Sequence, residues 1–304
     1  MTADSRPDAV RTLAGADGIS GEYRPEPVEL EVPRLRASGR GTAGIASSGE
    51  MTHHEHLQAV REGRLGSMHS WELVTGVDGP GTRMTVFLAG CPLRCLYCHN
   101  PDTLFTAKGE PVLLEDLVAR LKRYRGIFRA TKGGLTVSGG EPLQQPAFLA
   151  RLLAEAKAMD IHTCIDTSGF LGANCTDEML GNLDLVLLDI KSGLPETYRR
   201  VTGRELQPTL DFSRRLSEAG TEIWLRFVCV PGLTDAEENV AAVAEHVATL
   251  GTVSRVEVLP FHQMGRDKWA GLGMTYQLGD VPPPTPETLE RVRGQFRAHG
   301  LTTW

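Results

Sequence analysis

The chain has 304 residues, 41% of them hydrophobic, and a net charge of −6, enough for one large domain or two small ones around a sizeable core. The acidic balance argues against a general nucleic-acid binder, and no apolar run approaches the roughly 18 residues of a membrane span. There is no basic-then-apolar leader, so the six cysteines are expected as reduced thiols in the cytoplasm rather than as a disulfide framework.

Residues 1–65 are rich in Ala, Gly, Ser, Pro, Arg and Glu and poor in aromatics, with only a weak helical period over His56–Arg64. Such a stretch buries too little apolar surface to offset its ordering entropy, and the expectation is a disordered or loosely attached extension ahead of one domain at 66–304. His53-His54-Glu55-His56 has metal-ligating side chains, but it is read as a solvated polar tail rather than a metal site. His69–Val77 leads into Asp78-Gly79-Pro80-Gly81, whose composition dictates a tight turn. Met84–Ala89 is a short apolar run, read as a buried strand, and it empties through Gly90 into Cys91-Pro-Leu-Arg-Cys95-Leu-Tyr97-Cys98-His99-Asn100.

Downstream, strands and helices alternate. Helical spacing marks Leu114–Tyr124, Gln145–Met159, Thr209–Ala219, Ala236–Leu250 and Pro286–His299. Leu135–Val137, Ile161–Ile165, Leu183–Ile190, Glu222–Val230 and Arg255–Leu259 read as strands. About six strand–helix units predict a parallel α/β architecture, with the chemistry at the C-terminal ends of the strands. Every polar motif falls there: the cysteine loop, Gly139-Gly140-Glu141, Asp166-Thr167, Asp189-Ile190-Lys191 and His262. Six units are too few to close an eight-stranded barrel.

Three thiolates within one loop are soft ligands suited to an iron–sulfur cluster or to zinc. A structural zinc site needs four ligands, and His99 or a distant cysteine is the candidate fourth; that reading is a zinc-stabilised binding protein without catalysis. Three thiolates on a four-iron cube instead leave one iron open. Cys164 and Cys229 lie in apolar runs, as buried hydrophobes do, and Cys175 is assigned no role. Two glycines at a strand end let backbone approach a ligand. Asp189 and Lys191 share a face, which by itself is compatible with a surface ion pair of little worth.

The spacing CxxxCxxC after a first strand resembles the signature of radical S-adenosylmethionine enzymes. The form Val77-Asp-Gly-Pro-Gly81 with Gly90–Thr103, then Ser138–Pro142, His162–Thr167, Leu187–Lys191, Trp224–Arg226, Val230–Gly232, Leu259–His262 and Lys268-Trp269, is similar to the activating enzymes of pyruvate formate-lyase. The likeness covers roughly 66–303 and implies a partial (β/α)6 barrel, splayed on one side to admit a protein. It implies that Cys91, Cys95 and Cys98 hold a [4Fe–4S] cluster whose open iron binds S-adenosylmethionine. Reductive cleavage then yields a 5′-deoxyadenosyl radical that takes a Cα hydrogen from a glycine of the partner enzyme, without oxygen. It further implies S-adenosylmethionine contacts at Tyr97, Cys98, His99, Gly139, Gly140, Glu141, Asp189, Ile190, Lys191 and His262. A monovalent-cation site at Asp166, Thr167, Leu187 and Asp189, a substrate-peptide contact at Asp78, and a cofactor-orienting Arg226 complete the implied set. The implied partners are pyruvate formate-lyase as substrate and a flavodoxin or ferredoxin as electron donor. Asn100–Ser138 contains no cysteine, so a single cluster is expected. The nearest rival within the resemblance is a radical S-adenosylmethionine enzyme with another glycyl-radical partner or a small-molecule substrate.

Overall fold

The computed structural model describes Ile45 and residues 51–304, all within one compact unit. Among the described residues the first element is a helix, α1 (His53–Arg61), followed by β1 (Leu65–Thr75), β2 (Thr82–Leu88), β3 (Glu110–Leu113), α2 (Leu114–Arg123) and α3 (Arg125–Thr131). The alternation continues through β4 (Gly134–Gly139), α4 (Pro146–Ala158), β5 (His162–Thr167), α5 (Asp177–Gly181) and β6 (Leu185–Asp189). Two helices then intervene, α6 (Pro195–Thr202) and α7 (Gln207–Glu218), before β7 (Glu222–Cys229), α8 (Glu237–Ala248), β8 (Val253–Pro260), α9 (Arg266–Gly271) and α10 (Pro286–Ala298). None of the helices among the described residues is long and apolar enough to cross a membrane.

The strands form one sheet in the order β3-β1-β2-β4-β5-β6-β7-β8. β2, β4, β5, β6, β7 and β8 run parallel and supply the six units expected of a partial (β/α)6 barrel. β1 and β3 were not expected; they add to the β2 side as antiparallel strands. The sheet is open, since its end strands β3 and β8 do not pair with each other.

Each parallel strand has two differently buried faces. Val86 and Leu88 of β2, Ile165 of β5, Val186 and Leu188 of β6, and Ile223 and Leu225 of β7 join the large core beneath the helices. The opposite face turns into the lumen, where Cys164, Leu185 and Leu187 pack with Trp224. Period-two alternation thus places every second residue of β5, β6, β7 and β8 on one inner surface.

Part of the segment expected to be disordered is ordered. Thr52 and Glu55 form a reciprocal capping box at the start of α1, and Ala59 is fully buried. Gly63 lies so close to α4 that a Cβ would stand 2.2 Å from the Ala147 carbonyl oxygen. A cap and two small residues at a close contact anchor the helix without the large apolar periodicity a sequence pattern detects. Glu55 is engaged with Thr52 and His53 and His54 are exposed, in keeping with a solvated face. The remainder of the expected extension, apart from Ile45, lies outside the described residues.

Candidate active site

The cysteine loop is held from three sides. Gly90 and Cys91 donate backbone hydrogen bonds to Thr103 and Leu104 at 2.7 and 3.1 Å. Arg94 and Leu96 donate to the Thr202 and Val201 carbonyls at the end of α6, at 2.8 and 3.0 Å. The Trp269 indole donates to the Cys98 carbonyl at 2.9 Å. The loop therefore carries its thiols on a fixed backbone, and all three are free and partly accessible.

Burial pushes the Cys91 thiol up to about 12 and raises Cys95 and Cys98 as well. Such thiols stay protonated at neutral pH until a metal centre displaces their protons. The Lys191 ammonium works against burial at all three. Among the described residues no three His, Cys, Asp or Glu side chains gather as ligands of a single metal ion. His99, the zinc reading's nearby fourth ligand, is turned away: its ring stacks on His262 at 3.9 Å between centroids, and its Nε2 lies 3.3 Å from the His262 carbonyl oxygen. Burial foremost, with His262 next, lowers the His99 pKa to about 4, so its imidazole is neutral at pH 7. Three thiols and no engaged fourth ligand fit a cube with one open iron.

The other expected residues sit at neighbouring strand ends. Asp189, the last residue of β6, and Lys191 just beyond it form an ion pair of 2.9 Å, with side chains only 18% and 13% exposed, so the surface-pair reading is set aside. Burial opposes the ammonium charge most strongly of any single cause, but Asp189, Tyr97 and Cys95 together hold the Lys191 pKa well above its usual value. The Lys191 ammonium also lies 5.8 Å from the Tyr97 ring centroid. That ring packs with Val201, Val228, Val230 and Phe261, and its buried hydroxyl has no hydrogen-bond partner. The Ile190 side chain belongs to the core under the helices, leaving its backbone as the part that borders the site.

Gly139 and Gly140 are glycines for a reason that precedes any ligand. Gly139 has φ +115° and a Cβ there would lie 2.2 Å from the Leu88 carbonyl oxygen; at Gly140 it would lie 2.4 Å from that of Gly90. The pair lets β4 close onto the start of the cysteine loop, where Gly140 donates to Leu88 and Glu141 donates to Gly90, both at 2.8 Å. Glu141 is buried, and its oxygens accept from Thr167 Oγ1 at 2.6 Å, Ser168 Oγ at 2.6 Å, and the amides of Ser168 and Leu143 at 3.0 and 3.2 Å. This carboxylate clamps β5 to the loop rather than facing the open end. Thr167 is likewise engaged, since its hydroxyl also accepts from the Gly169 amide at 3.0 Å.

Below the rim lies a charged group centred on Arg226, which is 9% exposed. Its Nη2 donates to the Val77 carbonyl at 2.9 Å and to Asp78 Oδ1 at 3.3 Å. Nη1 pairs with Asp166 Oδ2 at 3.3 Å, and Nε donates to Glu257 Oε2 at 3.1 Å. Burial works against the guanidinium charge, but Asp166, Asp189, Asp78 and Glu257 raise its pKa overall. Asp78 points inward, 14% exposed, and burial, with Asp166 nearby, raises its pKa. Asp166 Oδ2 also accepts from Ser138 Oγ at 2.7 Å, while its Oδ1 is buried without a hydrogen-bond partner.

Sequence reasoning missed Ser138 and Glu257. A glutamate alternating with apolar residues in Arg255–Leu259 was the available signal, but its partner Arg226 becomes visible only through the Arg226–Glu257 register of β7 and β8.

Residues 85–244 match the model of the radical SAM superfamily. The chain is 40% identical over 238 residues to pyruvate formate-lyase 1-activating enzyme of Escherichia coli (strain K12), covering 78% of this chain and 97% of that enzyme. It is 42% identical over 236 residues to pyruvate formate-lyase-activating enzyme of Staphylococcus epidermidis, covering 74% and 92% respectively. In fold it is similar to a radical SAM methyltransferase from Sphaerobacter thermophilus, with TM-score 0.53, 17% identity and coverage of 86% of this chain and 76% of that one.

Proposed function

The chain belongs to the radical SAM superfamily and, within it, to the pyruvate formate-lyase activating enzymes, and from that premise we propose how its own residues serve the reaction. The observation that carries the reading is the placing of the three-thiol loop, the Gly139–Gly140 turn and the largely shielded Lys191–Asp189 pair at the same ends of β2, β4 and β6. Cys91, Cys95 and Cys98 would hold a [4Fe–4S] cluster. When bound, the cluster and S-adenosylmethionine supply one-electron cleavage of a carbon–sulfur bond and removal of a hydrogen from a glycine Cα.

The protein's part is to bind, orient and shield. Lys191, kept charged by Asp189, offers a fixed cation for the cofactor's carboxylate. The Gly140 backbone would face the amino group, and the stacked His99 and His262 rings would offer a flat wall for the adenine. Glu141 acts as a positioning residue, holding this turn against β5. Four carboxylates, Asp78, Asp166, Asp189 and Glu257, meet the cations Arg226, Lys191 and Arg255. The unpartnered Asp166 Oδ1 supports a monovalent cation at Asp166, with Asp189 and the Leu187 carbonyl beside it. Asp78, held by Arg226, anchors the Val77–Gly81 turn, which we read as the contact for a peptide from a glycyl radical enzyme. Pyruvate formate-lyase is the partner we infer, with a flavodoxin or ferredoxin as electron donor and the cytoplasm as the reducing compartment.

Anaerobic reconstitution with iron and sulfide, followed by reduction, tests the cluster assignment. We expect 5′-deoxyadenosine from S-adenosylmethionine with the wild type and none with Cys95→Ala. Zinc retained in place of iron and sulfide would contradict it.

A further inference from the structure

The lumen holds a second tier of charge below Arg226. Register pairs Trp224 with Arg255 and Arg226 with Glu257 across β7 and β8. The Arg255 guanidinium lies between two indoles, 4.5 Å from the Trp224 ring centroid and 4.4 Å from that of Trp304. Trp304 is 63% exposed, yet it is anchored. Its amide donates to Val256 at 2.9 Å, Val256 donates to Thr302 at 2.8 Å, and Thr303 bridges Val256 as a parallel strand residue. The chain's last residues thus extend the β8 edge and bring an aromatic face over Arg255.

Glu257 divides its two oxygens. Oε2 accepts a hydrogen bond from Arg226 Nε at 3.1 Å, while Oε1 lies 3.0 Å from Arg255 Nε as an ion pair without hydrogen-bond geometry. Rotating the carboxylate would separate it from one of these two cations. The Arg226 guanidinium is planar, so fixing Nε fixes the directions of its two terminal nitrogens. Those nitrogens address Val77, Asp78 and Asp166.

We propose that Glu257 and Arg255, braced by Trp224 and Trp304, are positioning residues for the protein substrate, setting through Arg226 where Asp78 and the Val77–Gly81 turn stand. This rests on the reading of that turn as the substrate-peptide contact. Both residues lie on β8, two strands from Asp189 on β6, so their effect is expected in peptide binding rather than in S-adenosylmethionine cleavage itself. Residues joined in one ion-pair network couple measurably, and a cation between two indoles is held most firmly where it is desolvated.

The test uses the full chain, reconstituted and reduced, with a peptide spanning the glycine-bearing loop of pyruvate formate-lyase. Peptide-dependent turnover gives KM and kcat, and electron paramagnetic resonance reports the reduced cluster with and without S-adenosylmethionine. Glu257→Gln is expected to raise the peptide KM about tenfold, leaving kcat within about twofold and the cluster spectra unchanged. Trp304→Ala, at an exposed terminus where global unfolding is not at stake, is expected to raise KM about threefold, with Trp304→Phe restoring it. A responsive wild type with unchanged KM in both variants would overturn this inference alone. So would a joint fall of kcat and cluster signal in both variants, which denotes a merely structural role. A wild type that cleaves S-adenosylmethionine but ignores the peptide would overturn the reading of the turn, and this inference with it.

Discussion

Glu141 shows how a buried motif carboxylate can hold backbone and side chains together around a site. Four donors share its two oxygens, and Glu141→Gln removes the charge while offering an amide NH2 to groups that already donate. The substitution is expected to cost about 2–4 kcal/mol of stability, read from denaturant unfolding of the reconstituted protein. Asp184 gives the pH counterpart at the opposite end of the sheet. Burial raises its pKa, but hydrogen bonds from Lys157 at 2.7 Å and the Thr163 amide at 2.8 Å outweigh this and leave it lowered. A carboxylate with a lowered folded pKa contributes stability above its ordinary value of 3.8, and that contribution is lost as pH falls through the folded value. Asp184→Asn is therefore expected to lower Tm at pH 7 and to flatten the dependence of Tm on pH below the ordinary value. A variant with the wild-type acid profile would contradict this. At this scale the cysteines, the glycine pair and Lys191 were legible because their signals are local. The sequence reading gave the glycines to ligand approach, but backbone packing against Leu88 and Gly90 already requires them.

At the scale of elements, the turn between β4 and Glu141 is the joint that sets the cysteine loop against the rest of the sheet. Gly139→Ala combines a left-handed backbone with a 2.2 Å contact to Leu88. It is expected to cost about 3 kcal/mol or more and to lower the iron retained after reconstitution, measured as iron per chain. Full iron content and unchanged stability would show that the joint is softer than its geometry implies. The six parallel strands were legible from apolar runs alternating with helical periods. β1 was not, because an irregularity between Met68 and Ser70 breaks its register with β2 and its partly buried side chains blur the period. α6 was also missed: eight residues beginning at Pro195 are too short to show a convincing period, although this helix end anchors Arg94 and Leu96 of the cysteine loop. α1 escaped for a related reason, since a polar helix fixed by a cap and a buried alanine looks like a tail.

Taken as a whole, the molecule puts its thiols at one end of an open six-unit barrel and fills the lumen beneath with opposed charges. Which side chains face inward was predictable from alternation; which of them pair depends on strand register, and that is a property of the assembled sheet. The central claim is that this arrangement activates a glycyl radical enzyme. The most direct measurement is electron paramagnetic resonance of pyruvate formate-lyase after anaerobic incubation with the reduced, reconstituted chain and S-adenosylmethionine. The account predicts a glycyl radical signal on the partner that grows with incubation and is absent with Cys95→Ala. Production of 5′-deoxyadenosine with no radical on that partner would contradict it.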